Sequence, residues 1–173
     1  VDGVALTWAY DVPGGATFGN LTTTPLVSGD TVNEGDLTTK VHAVDRATGR
    51  VQVARVVCAM DEGVVVNPEG TRQQIEGCIT MGMGYALTEE MRFKNGELQD
   101  TNFDTYELPR FSWLPKIETV LIDNPELAAQ SCGEPPIITM GAVIANAIFD
   151  ATGARLYQLP MTPARVLEAL KRA

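Results

Sequence analysis

The sequence predicts an α/β (α+β) fold: a mixed sheet containing a hairpin, one long glycine-rich helix, and a buried helix entered through a Gly-Glu-Pro-Pro turn. Three observations carry this expectation. Two β-rich runs, 39–45 and 51–60, flank Asp45-Arg46-Ala47-Thr48-Gly49-Arg50, a glycine-containing loop suited to a hairpin. Ile75, Ile79, Met83 and Leu87 fall four apart, with Cys78, Gly82 and Ala86 beside them, which is the period of a helix with one buried face. Ser131-Cys132-Gly133-Glu134-Pro135-Pro136 leads straight into the apolar run Ile137 to Phe149, and proline suits the first turn of a helix because no bond waits for its missing N–H.

The remaining elements follow in order. Residues 1–38 are rich in Gly, Thr, Asp and Asn without a sustained period, so an irregular N-terminal arm with one or two short strands is expected, followed by a single (sub)domain over 39–173. Within the second β run, Val51, Val53 and Arg55 alternate with Gln52 and Ala54 before Val56 to Met60 turns wholly apolar, as a strand entering the core would. After the turn Asp61-Glu62-Gly63 and the extended Val64-Val65-Val66-Asn67-Pro68, the long helix should cover 69–90. Gly77, Gly82 and Gly84 cost a helix interior up to about 1 kcal/mol each. Their concentration predicts close approach of another backbone, of bulky neighbours or of a ligand.

Asn95-Gly96 between short β-prone runs predicts a second hairpin within 92–99. A long aromatic loop, 102–115, precedes an alternating strand over 117–122. Ile138, Ala142, Ala145, Ile148, Phe149 and Thr152 give the helix after the prolines an inward face, and Gly153 can terminate it in a left-handed conformation. Thr162 and Pro163 open a last helix to about residue 172.

With 173 residues, 45% of them apolar, one core is the expectation. Thirteen Lys and Arg against 22 Asp and Glu, a formal charge of −9, argue against nucleic acid or an anionic membrane surface as partner. No uninterrupted apolar stretch approaches the roughly 18 residues of a membrane span. Beginning at Val1 rather than Met is what a processed chain or a piece of a longer polypeptide would show. Cys58, Cys78 and Cys132 are odd in number and lack CxxC spacing, so neither a disulfide framework nor a zinc cluster is indicated. His42 is the only histidine, which excludes a histidine-rich metal site, and no residue is assigned as a metal ligand.

Two side chains compete as the reactive group. Glu134 stands between a glycine and two prolines, has little backbone freedom, and precedes a helix whose dipole favours an ionised carboxylate; the plainer reading is a helix cap. Cys132, close to the same helix end, could be a thiol of lowered pKa with His42 as its base. Gly77-Cys78-Ile79-Thr80-Met81-Gly82 has the outer glycines of a phosphate loop, but Met83 stands where its lysine would be. Gly82-Met83-Gly84 lacks the third glycine of a dinucleotide fingerprint.

Four ordered pieces bring a resemblance. Asp61-Glu62-Gly63 with Asn67-Pro68, Gln74-Ile75-Glu76-Gly77, Gly82 through Glu90, and Gly133-Glu134-Pro135-Pro136 together resemble the C-terminal part of the molybdopterin-binding subunit of xanthine dehydrogenase and aldehyde oxidase type enzymes. Asn102-Phe103-Asp104-Thr105-Tyr106 and Ala145 through Gly153 look most like the isoquinoline 1-oxidoreductase branch, in its beta subunit.

The resemblance, which covers about 50–160, implies a fragment of a molybdopterin-binding domain with Glu134 as general base of a molybdenum hydroxylase. In such enzymes the glutamate takes a proton from a molybdenum-bound hydroxyl, the oxygen attacks an electron-poor carbon, and hydride passes to a sulfido ligand. Gln74 matches the family glutamine that hydrogen-bonds the cofactor, and Gly133 the glycine that lets the loop backbone approach it. Molybdopterin, in its cytosine dinucleotide form, would be shared with upstream residues absent here. The implied partners are the remainder of that subunit, an iron-sulfur subunit carrying the clusters, an electron acceptor and a small aldehyde or N-heteroaromatic substrate. Met81 stands where some relatives carry a second glutamine, and Cys132 where many carry valine. Two other readings stand beside this one: a noncatalytic α/β binding or assembly module, and the Cys132 thiol enzyme.

Overall fold

The computed structural model describes residues 26–28, 31–33 and 36–173, with side chains described from residue 44 onward. The expected arm therefore lies mostly outside the described residues; within it β1 (Leu26–Ser28) and β2 (Thr31–Asn33) pair antiparallel. The hairpin forms from β3 (Asp36–Val44) and β4 (Val51–Met60), in register from Asp36 opposite Ala59 to Val44 opposite Val51. His42 sits inside β3, at a register irregularity between Val41 and Ala43, and its side chain is outside the described set. The loop is closed by Asp45, whose Oδ1 accepts the Ala47 N–H at 2.8 Å.

β4 is the middle strand. Its other edge takes β7 (Lys116–Leu121) in parallel, giving the order β3-β4-β7. Parallel pairing needs a crossover, and the chain between them supplies one through α1 (Pro68–Leu87). Asn67 caps α1 by accepting the Gly70 N–H at 3.0 Å, and Pro68 occupies its first turn. Ile75, Ile79 and Met83 are buried, as the four-residue spacing predicts.

The helical glycines divide. At Gly82 a Cβ would lie 2.6 Å from Met140, so this glycine lets α2 (Pro135–Thr152) cross α1 at close range. At Gly84 it would overlap the Glu89 carboxylate, which folds back over the helix end. Gly77 faces open space.

Beyond α1, β5 (Phe93–Lys94) and β6 (Glu97–Leu98) form the second hairpin, with Asn95 at φ 52° and Gly96 at φ 82°, the left-handed pair that matches strand twist. Buried Asp100 accepts the Arg92 backbone N–H and guanidinium, which hold its carboxyl below the ordinary value. The aromatic loop contains a short 3₁₀ turn at Phe111–Trp113. It is tied to the end of α1 by Thr88 Oγ1 donating to the Glu107 carbonyl at 2.8 Å and by Tyr106 donating to Glu89 at 2.7 Å. That second bond raises the Tyr106 pKa to about 12.

α2 ends at Gly153 in the left-handed region, φ 77°, as expected. Its inward face differs from the expected one. Met140, Val143, Ile144 and Ile148 are buried, whereas Ile138 is 69% exposed and Ala142 is exposed. Apolar residues surround this helix on all sides, so the period alone selects no single face, and the crossing at Gly82 decides which side turns in. By length and composition α2 could span a membrane; in this fold its Met140 side packs against α1. α3 (Pro163–Leu170) is capped by Thr162 and adds Val166 to the core.

Candidate functional site at the mouth of the second helix

Glu134 is the residue immediately before α2, with φ −124° and ψ −29°, so its ψ is not the extended value that a following proline favours and that the sequence predicts. Its side chain is exposed and makes no capping hydrogen bond. The plainer expectation of a cap is therefore not what this carboxylate does. The N–H of Ile137 is satisfied instead by the Glu134 carbonyl at 3.0 Å.

Gly133 is gripped from α1. The Cys78 thiol donates to the Gly133 carbonyl at 2.7 Å, which fixes the peptide just ahead of Glu134. One turn earlier on the same helix, Gln74 projects toward the same glycine: a Cβ on Gly133 would lie 3.8 Å from Gln74 Oε1. Gln74 is exposed, and so is Gly77 beside it, where nothing lies within 4 Å of a would-be Cβ. Gln74, Gly133 and Glu134 thus meet at one edge of the α1–α2 crossing. The edge offers an amide, two residues without side chains, and an outward carboxylate.

An exposed amide and an exposed carboxylate at one edge can hydrogen-bond a polar group brought against it. Among the described residues no three His, Cys, Asp or Glu side chains converge as metal ligands.

Cys132 departs from expectation. Burial first, and the neighbouring Glu62 carboxylate second, raise its thiol pKa above the ordinary value. Burial likewise raises that of Cys78. Desolvation and an adjacent acid both oppose the lowering of a thiol pKa by a helix end, and so act against a Cys132 nucleophile.

Nothing in the sequence announces the residues that hold the turn as a group. Cys78 lies 55 positions from Gly133, and neither signals the other. Glu62 is buried, with Oε1 accepting from Thr71 Oγ1 at 2.7 Å. Its place in the Asp61-Glu62-Gly63 motif is the available signal.

Residues 37–115 match the family described as molybdopterin cofactor-binding domain. That stretch contains Gln74; Gly133 and Glu134 lie beyond it. A nicotinate dehydrogenase polypeptide of Pseudomonas putida is 40% identical over 128 residues, 74% of this chain and 11% of that protein. The beta subunit of isoquinoline 1-oxidoreductase from Brevundimonas diminuta is 36% identical over 137 residues, 79% of this chain and 17% of that protein. Among solved structures, the aldehyde oxidoreductase of Desulfovibrio gigas superposes with a TM-score of 0.70 at 35% identity, covering 79% of this chain and 15% of that one.

The class is that of a molybdopterin-binding domain. This chain belongs to the molybdopterin-binding subunits of the xanthine dehydrogenase and aldehyde oxidase family. It spans no more than about a sixth of the length of these relatives.

Proposed function

We propose that this chain supplies the general base and part of the pterin cradle to a molybdenum hydroxylase, acting on an aldehyde or an N-heteroaromatic substrate. The observation that carries this is Glu134: an exposed carboxylate with no capping bond, anchored through the Gly133 carbonyl beside the exposed amide of Gln74. When bound, molybdopterin in its cytosine dinucleotide form supplies the redox centre that accepts the two electrons of the oxidation.

Three residues of this chain act beside it. Gln74 donates from its amide to the cofactor or its ligands. Gly133 lets the backbone come close, since no side chain stands between the turn and that edge. Glu134 accepts the proton released as water-derived oxygen is delivered to the substrate carbon, and a general base so placed contributes about 10² to 10⁴-fold. Iron-sulfur clusters held by a partner subunit would supply the outlet for those electrons.

Assembly with the remainder of the subunit and the iron-sulfur subunit tests the proposal. Glu134→Gln should retain molybdenum and lose turnover by that factor. An unchanged rate would overturn the assignment and favour a noncatalytic assembly module. Because most of the cofactor's contacts lie outside this chain, the purified chain alone should carry no stoichiometric molybdenum by elemental analysis.

A further inference from the structure

We infer that Glu62 is a positioning residue for Glu134, acting through its side-chain bond to Thr71 and through the Gln130 N–H that its carbonyl holds, on the turn that presents the base. This rests on the reading of Glu134 given above. Glu62 is 4% exposed. One of its oxygens is bonded by Thr71 at 2.7 Å; the other, Oε2, is buried without a hydrogen-bond partner. Burying an unpaired carboxylate oxygen is unfavourable, and a soluble domain keeps few such groups.

Its neighbours show what the arrangement achieves. Asp61 Oδ2 accepts from the Asn124 amide at 2.9 Å, and its Oδ1 accepts the Gly63 N–H at 2.9 Å. Gly63 is left-handed, φ 70°, and packs against the Ala128 carbonyl where no side chain would fit. The Val64 N–H donates to the Leu127 carbonyl at 3.0 Å, and the Gln130 N–H donates to the carbonyl of Glu62 itself at 2.8 Å.

Residues 61–64 thus form a floor under the loop 124–132. Glu62 is the residue of that floor whose side chain joins it to α1, through Thr71, and whose carbonyl holds Gln130, four residues before the base. Glu134 has no cap bond of its own, so the direction of its carboxylate depends on how firmly residues 130–133 are held. A misplacement of about 1 Å at a catalytic group can cost on the order of 10²-fold in rate.

The test compares Glu62→Leu, Glu62→Gln and Glu134→Gln in the assembled, molybdenum-loaded enzyme, and measures amide exchange at 130–137 in the cofactor-free chain. Glu62→Leu should lower kcat about 10²-fold while KM stays within about twofold, and should speed exchange at 130–137 at least tenfold with the sheet amides unchanged. Glu62→Gln keeps an acceptor for Thr71 and should restore most of both. If Glu62→Leu does not fold, Thr71→Val removes the same bond and should give the same split. Unchanged kcat and exchange would overturn the proposal, as would exchange rising equally over the whole chain or a Glu62→Gln variant no better than Glu62→Leu. If Glu134→Gln keeps its full rate, the assignment of the base fails, while the exchange measurement still decides whether Glu62 holds the turn.

Discussion

The two long helices each present two unlike faces. On the inner side, Ile75, Ile79 and Met83 of α1 and Met140, Val143, Ile144 and Ile148 of α2 are at most 2% exposed. On the outer side, α1 presents Gln74, Gly77, Met81 and Tyr85, and α2 presents Ile138 and Ala142 just beyond Glu134. Ile138 is 69% and Met81 52% exposed. The inner face is accounted for by contacts within this chain. The outer face is not, since it leaves large apolar side chains in water beside an amide and a carboxylate. On the proposed function its counterpart is polypeptide and cofactor that this chain does not contain.

Substitutions should separate the two faces by which measurement they move. The largest effect belongs to Glu134→Gln: turnover of the assembled enzyme falls by about 10² to 10⁴-fold, yet the unfolding free energy of the chain in urea changes by less than about 0.5 kcal/mol. A loss near the 1 kcal/mol typical of a helix cap would return Glu134 to a structural role. Met140→Ala reverses the pattern. Its side chain is fully buried at the helix crossing, so it should cost about 2–5 kcal/mol in the same urea experiment. A smaller loss would mean that the crossing relaxes around the cavity.

The inner face of α1, the turns and the helix ends are legible in the sequence because they are built from local signals. The four-residue period of Ile75, Ile79 and Met83, the Asn95-Gly96 turn, the Thr162 cap and the Gly153 stop each act over a few residues and appear where expected. What could not be read depends on contacts distant in sequence. The parallel pairing of β7 with β4 joins Arg55 to Lys116 across the whole α1 crossover. The choice of α2's inner face is made by Gly82, a residue of another helix. Around the site, the entry to α2 after Glu134 is legible because Pro135 and Pro136 suit a first helical turn, whereas the Cys78 grip on Gly133 and the bond from Thr71 to Glu62 arise only once α1 lies against the turn.

The sheet edge gives a smaller effect with a definite pH dependence. Glu118 on β7 accepts from Arg55 on β4 at 2.9 and 2.6 Å and pairs with Lys116 at 2.7 Å, which lowers its pKa from 4.5 to about 2. A depressed carboxylate pKa contributes stability that is fully present above the unfolded value and lost as pH falls through the folded one. Glu118→Gln should therefore lower the melting temperature slightly at neutral pH, since exposed pairs contribute little, and the gap from wild type should close between about pH 4.5 and 2. A gap that persists below pH 2 would show that the side chain matters for packing rather than for charge.

The smallest effect is the most informative about the outer face. Ile138 is apolar, lies in the first turn of the core helix, and should be costly to replace if helix position alone decided its role. Its 69% exposure means that little of its surface leaves water when this chain folds. Ile138→Ser should thus change the unfolding free energy by no more than about 0.5 kcal/mol. In assembly with the remainder of the subunit the same substitution should weaken association, because there the isoleucine would lose its water to a neighbour. A stability loss in the chain alone, with association unchanged, would make Ile138 part of the inner core and erase the distinction between the two faces.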